Sequence, residues 1–362
     1  MKPQNLSKLR HSMFILIMIL FLILHCSKEA IVNDSSRGNS SKPIYPALND
    51  SIPYDRLGSG KIVFQRKGPP PHGYSAVYVL DIDQQTAWID SNAGDQCAIS
   101  PNGDVVAFSA YTNSSTLWDI YTVGLHSRNR KQRTNLEMFE KFPSWAPDGS
   151  LLFFWAGGKM NDPNTYFFRL SPSAAGTQPE LIIKLADRDP SGRLSVSVSG
   201  NIAYVTHSFA TPDENGLYIM NRDGSHHYQL LPESDSLTFE APVFSPDGKS
   251  IYFLQVLRPI VSNAQKGAYQ RIDVMNVDLQ DTRVVHVASF PARGMQEWSD
   301  GLYGLKGNGV YLALSPDGQK LLLNVPGGDY VSHLYIVNVD GSAFTQVTSA
   351  DRVTDRCVSW GR

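Results

Sequence analysis

Ala241-Pro-Val-Phe-Ser-Pro-Asp-Gly-Lys-Ser-Ile-Tyr-Phe253 reads as an apolar stretch, a tight turn and a second apolar stretch, and it recurs along the chain. Further copies are Cys97-Ala-Ile-Ser-Pro-Asn-Gly-Asp-Val-Val-Ala-Phe108, Phe142-Pro-Ser-Trp-Ala-Pro-Asp-Gly-Ser-Leu-Leu-Phe-Phe154 and Tyr311-Leu-Ala-Leu-Ser-Pro-Asp-Gly-Gln-Lys-Leu-Leu-Leu323. Leu194-Ser-Val-Ser-Val-Ser-Gly-Asn-Ile-Ala-Tyr-Val205 keeps both apolar stretches around a shortened turn. Pro presets φ for the turn, Asp or Asn accepts local backbone hydrogen bonds, and Gly takes the left-handed conformation, so each copy is a β-hairpin. The Asp of each Pro-Asp-Gly is therefore a turn residue and not a catalytic acid.

The turns fall at positions 101, 147, 200, 246 and 316, at intervals of 46, 53, 46 and 70 residues. A third strand follows each hairpin, as in Leu217-Tyr-Ile-Met-Asn-Arg-Asp-Gly224 and Leu334-Tyr-Ile-Val-Asn-Val-Asp-Gly341. A more polar fourth strand comes next, from Tyr228 to Leu231 and from Phe344 to Thr348. Four antiparallel strands in a unit of this length make a propeller blade. The ends of the chain are complementary. Arg356-Cys-Val-Ser-Trp-Gly-Arg362 matches a first strand, with Trp360 equivalent to Trp145, whereas Lys61–Phe64, Ala76–Ile82 and Thr86–Ile89 read as second, third and fourth strands. The expected fold is all-β: a six-bladed propeller of four-stranded antiparallel blades, closed by pairing the C-terminal strand into the N-terminal blade.

Of the 362 residues, 42% are apolar and 10% aromatic, which excludes a disordered chain. A count of 32 Lys plus Arg against 34 Asp plus Glu gives a net charge of -2, so no field gathers nucleic acid. Lys2, Lys8 and Arg10 precede the apolar run Met13–Leu24, which is the h-region of a signal peptide over residues 1–25 and is too short for a spanning helix. Residues 27–57 are rich in Ser, Asn, Asp and Pro without apolar periodicity and are expected to form a flexible tether, leaving 58–362 for the propeller.

Two resemblances extend this reading. Leu22-Ile-Leu-His-Cys26 is similar to the lipobox of bacterial lipoproteins, which implies that Cys26 is lipidated and becomes the mature N-terminus; His25 departs from the small residue that pattern prefers. The protein is then expected to be exported and membrane-anchored, facing the periplasm or the cell surface. The four full hairpins resemble the TolB-like propeller family, whose mark is Pro-x-Trp/Phe-Ser-Pro-Asp-Gly followed by an aliphatic strand. That likeness is specific for fold and implies no particular role.

Loops entering the first strands of a propeller gather around its central channel, where ligands bind by default. Asp95, Glu140, Glu240 and Asp355 stand just before first strands and are candidates for an acidic rim taking a cation, a basic peptide or a hydroxyl-rich sugar. Each could instead cap its own loop. His72 and the aromatic residues Trp298 and Tyr303 lie in the longest insertions, suited to gripping a sugar or peptide or to plugging the mouth. The partner expected there is an envelope protein, peptide or glycan, with no catalytic residue and no cofactor. The alternative follows from a resemblance to oligogalacturonate lyases, which implies a metal held by histidines, with His72, His207 and His333 as candidates. Cys97 and Cys357 fall on neighbouring first strands one residue out of register, so free buried thiols are expected.

Overall fold

A computed structural model of the chain describes residues 48, 50–68, 75–90, 94–111, 117–157, 164–173, 178–186, 189–207, 212–234, 236–257, 260–261, 265–266, 271–291, 310–328 and 331–362. The expected signal peptide, Cys26, His72, Trp298 and Tyr303 lie outside them.

Apolar stretches separated by turns become strands throughout. A short helix α1 (Tyr54–Leu57) leads into β1 (Lys61–Lys67), β2 (Ser75–Asp81) and β3 (Thr86–Asp90). Four antiparallel sheets of four strands follow. They comprise β4 (Asp95–Ile99), β5 (Val105–Tyr111), β6 (Trp118–Gly124) and β7 (Arg130–Gln132); then β8 (Phe139–Trp145), β9 (Leu152–Gly157), β10 (Thr165–Leu170) and β11 (Glu180–Leu185). The third holds β12 (Asp189–Val196), β13 (Ile202–His207), β14 (Gly216–Met220) and β15 (Tyr228–Pro232). The fourth holds β16 (Leu237–Phe244) and β17 (Ser250–Leu257), then, after a small hairpin of β18 (Ile260–Val261) and β19 (Gln265–Lys266), β20 (Arg271–Asp278) and β21 (Val284–Pro291).

The remaining strands are β22 (Leu312–Leu314), β23 (Lys320–Gly328), β24 (Val331–Asn338), β25 (Thr345–Gln346) and β26 (Thr354–Gly361). With β1, β2 and β3 they form one mixed sheet of eight strands. Its parallel step is the single pair Ser332–Thr354, which joins β24 to β26. The C-terminal strand β26 runs antiparallel to β1, from Lys61 opposite Gly361 to Lys67 opposite Thr354. First strands also touch across sheets: β26 lies against β4, β4 against β8, β8 against β12, β12 against β16, β16 against β22, and β22 against β26.

Middle strands lack the alternation of a half-exposed sheet because both of their faces are covered by other sheets. Every residue of β9 is buried, and Ile62, Val63 and Phe64 of β1 are fully so. Outer strands face water; β7 is exposed along its length.

The C-terminal end of the stretch expected to be a tether is packed on the folded body. Leu57 is completely buried, and Leu48, Ile52 and Tyr54 pack against the main apolar core. The folded body therefore reaches back to Leu48, and Leu48, Ile52, Tyr54 and Leu57 belong to it. These apolar residues carry no strand or helix period, and the polar composition around them masks their role in the core.

Candidate functional site

The four acids lie within first strands and not in the loops that enter them: Asp95 opens β4, Glu140 and Asp355 stand second in β8 and β26, and Glu240 stands fourth in β16. Nor do they occupy one position. Asp95 and Glu240 lie six residues before turn prolines Pro101 and Pro246, whereas Glu140 lies seven before Pro147. Asp355 matches Glu140, since both precede the equivalent Trp360 and Trp145 by five residues. Side chains alternate along a strand, so one step changes the face that a residue presents.

A β-bulge follows each acid. The pairing register shifts between Asp95 and Ala98, Lys141 and Ser144, and Glu240 and Val243 on β4, β8 and β16. At each bulge one residue takes a left-handed backbone: Gln96 at φ 53, Phe142 at 52, Ala241 at 48 and Cys357 at 55. The bulge re-aims the side chains on either side of it.

Asp355 and Glu140 turn into the protein. Asp355 is fully buried and accepts from Arg66 Nε at 2.6 Å and Arg66 Nη2 at 2.8 Å. Arg66 also donates to Asp50 at 2.8 Å, and Asp50 in turn accepts the backbone N–H groups of Ser349 and Ala350. These two carboxylates hold the Arg66 guanidinium charged, above its ordinary range and against the cost of burial. Asp355 is thus an ion-pair residue within the eight-stranded sheet and is not a rim acid. Glu140 is fully buried and accepts the Leu136 N–H at 2.8 Å. Burial, with Asp119 adding like charge, pushes its carboxyl up to about 7, and burial pushes Asp119 up to about 6. The Trp118-Asp119 dipeptide thus places its acid beside Glu140.

The six-before position is the one that carries mixed charge. It holds Asp95, Lys141, Glu240 and Arg356, two acids and two bases on four first strands. Asp95 is partly exposed, with Oδ1 3.7 Å from Arg356 Nη2. Lys141 is nearly buried, and its ammonium lies 5.0 Å from the Trp118 ring centre, 5.6 Å from that of Phe139 and 5.7 Å from that of Trp155. Such contacts stabilise a cation through the ring quadrupole. Tyr111 extends the aromatic group outward, 59% exposed and edge-on to Trp118 at 5.3 Å.

The next position closes the space between first strands. Phe142 and Tyr311 bring their rings to 6.4 Å. Arg193 of β12 donates to Val358 O of β26 at 2.8 Å and to Cys97 O of β4, so one guanidinium ties three first strands. Cys97 and Cys357 are buried and free, as their offset implied; the Cys97 thiol points to Cys357 O at 3.6 Å.

The histidines stand apart. His207 Nε2 pairs with Glu233 at 3.0 Å, and the same carboxylate oxygen accepts the Phe239 N–H. His333 lies beside Asp355 and Asp50; burial pulls its pKa down, and its Nδ1 has no hydrogen-bond partner among the described residues. No set of three His, Cys, Asp or Glu able to hold a metal occurs among the described residues. Sequence reasoning passed over Lys141, Arg356 and Arg193. Lining up the hairpins on their turn proline puts Lys141 and Arg356 in the column of Asp95 and Glu240, a signal that a search for acids alone discards.

No protein-family model matches the sequence, and no curated protein matches it significantly. Among solved structures the chain is similar to TolB from Acinetobacter baumannii, at 18% identity and a TM-score of 0.57 over 83% of this chain. It spans 66% of that protein's length. It is also similar to an oligogalacturonate lyase in complex with manganese, at 13% identity and a TM-score of 0.50, with 83% of this chain and 76% of that one covered. A TolB-like protein from Agrobacterium tumefaciens gives 16% identity and 0.50, over 80% and 89%. The likeness is one of fold: this chain is a β-propeller.

Proposed function

We propose that the protein is an exported, lipid-anchored six-bladed propeller whose channel mouth binds an envelope protein, peptide or glycan without catalysing a reaction. Six blades follow if the eight-stranded sheet is divided at its single parallel pair into two groups of four. The unbroken cycle of contacts between first strands supports closure of the ring through β26 on β1.

The observation that carries the binding role is the mixed column of Asp95, Lys141, Glu240 and Arg356, with Tyr111 and Trp118 beside it. Glu240 and Lys141 are buried, so the partly exposed Asp95 and Arg356, next to Arg193, are the charges open to a ligand; a pair of opposite sign suits a polypeptide, which brings charges of both signs and apolar side chains. The membrane address rests on the run Met13–Leu24 and on Cys26.

Two measurements test this. Cells fed a fatty-acid analogue should label the protein, and Cys26→Ala should abolish both label and membrane retention; equal labelling of the variant defeats the anchor. Affinity capture from envelope extract should retain a partner on the wild-type chain that is lost on Asp95→Lys/Tyr111→Ala, and equal capture by both defeats the mouth as the site.

A metal-dependent lyase is the second reading, and the buried His333 Nδ1, without a hydrogen-bond partner among the described residues, is the observation that favours it. Stoichiometric manganese in the purified chain, lost on His333→Ala or His207→Ala, would select it.

A further inference from the structure

The turns joining first to second strands lie at the opposite ends of those strands from the mouth, and at four seams each packs on its predecessor. A methyl placed on Gly318 would come within 2.4 Å of Pro246 Cγ, and one on Gly149 within 3.8 Å of Pro101 Cδ. One on Gly248 would meet Ser197 and Val198 at 3.5 Å, and Gly103 is tucked on the Arg362 carbonyl. The turn Ser197-Val-Ser-Gly-Asn201 is one residue shorter after its glycine than the Pro-Asp-Gly turns. The three atoms nearest to a methyl placed on Gly200 all belong to Arg222 of its own sheet. The place left open is a cleft of about 290 Å³ lined by Pro147, Asp148, Phe153, Val198 and Arg222.

Arg222 marks the cleft a second time. The residue that follows the third strand is aliphatic in four other sheets or half-sheets, and its N–H bonds the neighbouring hairpin: Ile82 to Gly60 O, Leu125 to Asp104 O, Leu279 to Lys249 O and Val339 to Gln319 O. Pro172 stands two residues past the end of β10, at Leu170. With Asn221-Arg-Asp-Gly224 aligned on Asn338-Val-Asp-Gly341, the place of Val339 is held by Arg222, two residues past β14. Its side-chain stem lies over Gly200, and its positive charge helps to lower the carboxyl pKa of Asp148, across the cleft, and of Glu180. Across the cleft, Asp148 Oδ1 accepts both the N–H and the hydroxyl of Ser150.

We propose that this cleft is a second binding site, separate from the channel mouth, which receives a tight turn of the Pro-Asp-Gly kind from a partner polypeptide. The chain's own seams supply the precedent, since a turn of that shape fills the equivalent space on Pro101 and Pro246. A turn also brings groups of both kinds that the cleft asks for. Its carbonyl or carboxylate oxygens meet the five donors of Arg222, and its N–H groups meet the Asp148 carboxylate. A lone anion would be drawn to Arg222 and repelled by Asp148, so the paired charges favour the peptide. The site does not rest on the channel-mouth reading.

The probe is a cyclic peptide copying Phe244–Ile251, titrated into the purified full-length chain. Saturable binding is expected, with a dissociation constant below about 1 mM. Arg222→Glu should weaken it at least about tenfold, equivalent to about 1.4 kcal/mol, without moving the melting temperature. A variant in which Ser197–Asn201 is replaced by the sequence of Ser245–Ser250 fills the cleft from within; it should melt at or above wild type and lose the peptide. Absence of saturable binding to wild type, or equal binding by either variant, overturns the proposal. Acetate binding that depends on Arg222 while the peptide shows none would make this an anion site and overturn it as well.

Discussion

Glu140 shows how far a single residue departs from what its position suggests. Its place before a first strand is legible, but the bulge at Phe142 and the approach of Asp119, on a strand of the neighbouring sheet, are not, because neither follows from spacing along one strand. With its carboxyl pushed up to about 7, the folded chain keeps a proton there that an unfolded glutamate, near 4.5, gives up. A raised acid binds more protons folded than unfolded, so stability from this residue is full below about pH 4.5 and falls as pH rises to about 7. Glutamine removes that loss and still offers an oxygen to the Leu136 N–H. Glu140→Gln is expected to stabilise the protein at pH 8 by on the order of 1–3 kcal/mol and to match wild type at pH 4.5, read as melting temperature against pH. A variant less stable than wild type at both values would mean that Glu140 is held as a charged structural acceptor.

Among the elements, the segment before β1 behaves least as its composition implies. Asp50 and α1 belong to a stretch that reads as polar linker, yet Asp50 reaches Arg66 of β1 and the backbone of Ser349 and Ala350, which precede β26. It therefore clasps the seam where the first and last strands pair. The ion cluster was hidden for a simple reason: Asp50, Arg66 and Asp355 are separated by up to 305 positions and share no motif. Arg66→Met leaves two buried carboxylates without a countercharge, and removing one partner of a buried pair costs about 3–5 kcal/mol. Asp50→Asn should cost less, since the amide oxygen still accepts the two N–H groups. Urea unfolding of both variants checks the order; an Asp50→Asn loss equal to that of Arg66→Met would mean that Asp50 carries the cluster.

For the whole molecule, the repeat made the architecture readable, because each hairpin states its turn chemistry in a few adjacent residues. The column proposed as the binding site was less readable, since its members come from separate strands and line up only when the bulges are placed. Closure of the ring through β26, as proposed, has a direct consequence. β26 supplies the antiparallel partner of β1, buries Cys357 and Val358 completely, and sends Trp360 Nε1 to Ser59 O at 3.0 Å. A chain ending at Ala350 loses this ladder, exposes an edge of β1 and strips Arg66 of Asp355. Loss of a core tryptophan alone costs about 3–5 kcal/mol against a usual stability of about 5–15 kcal/mol. The truncated chain should aggregate or melt far below wild type. That result alone does not separate closure from general loss of packing, and complementation does. A synthetic peptide of residues 351–362 restores the ladder by strand addition if β26 acts as a closing strand. It should raise the melting temperature of the truncated chain in a saturable way, and the same peptide with Asp355→Lys should fail, because it meets Arg66 with a like charge. Truncated protein that melts with wild type, or that ignores the peptide, would show that the ring does not depend on this strand.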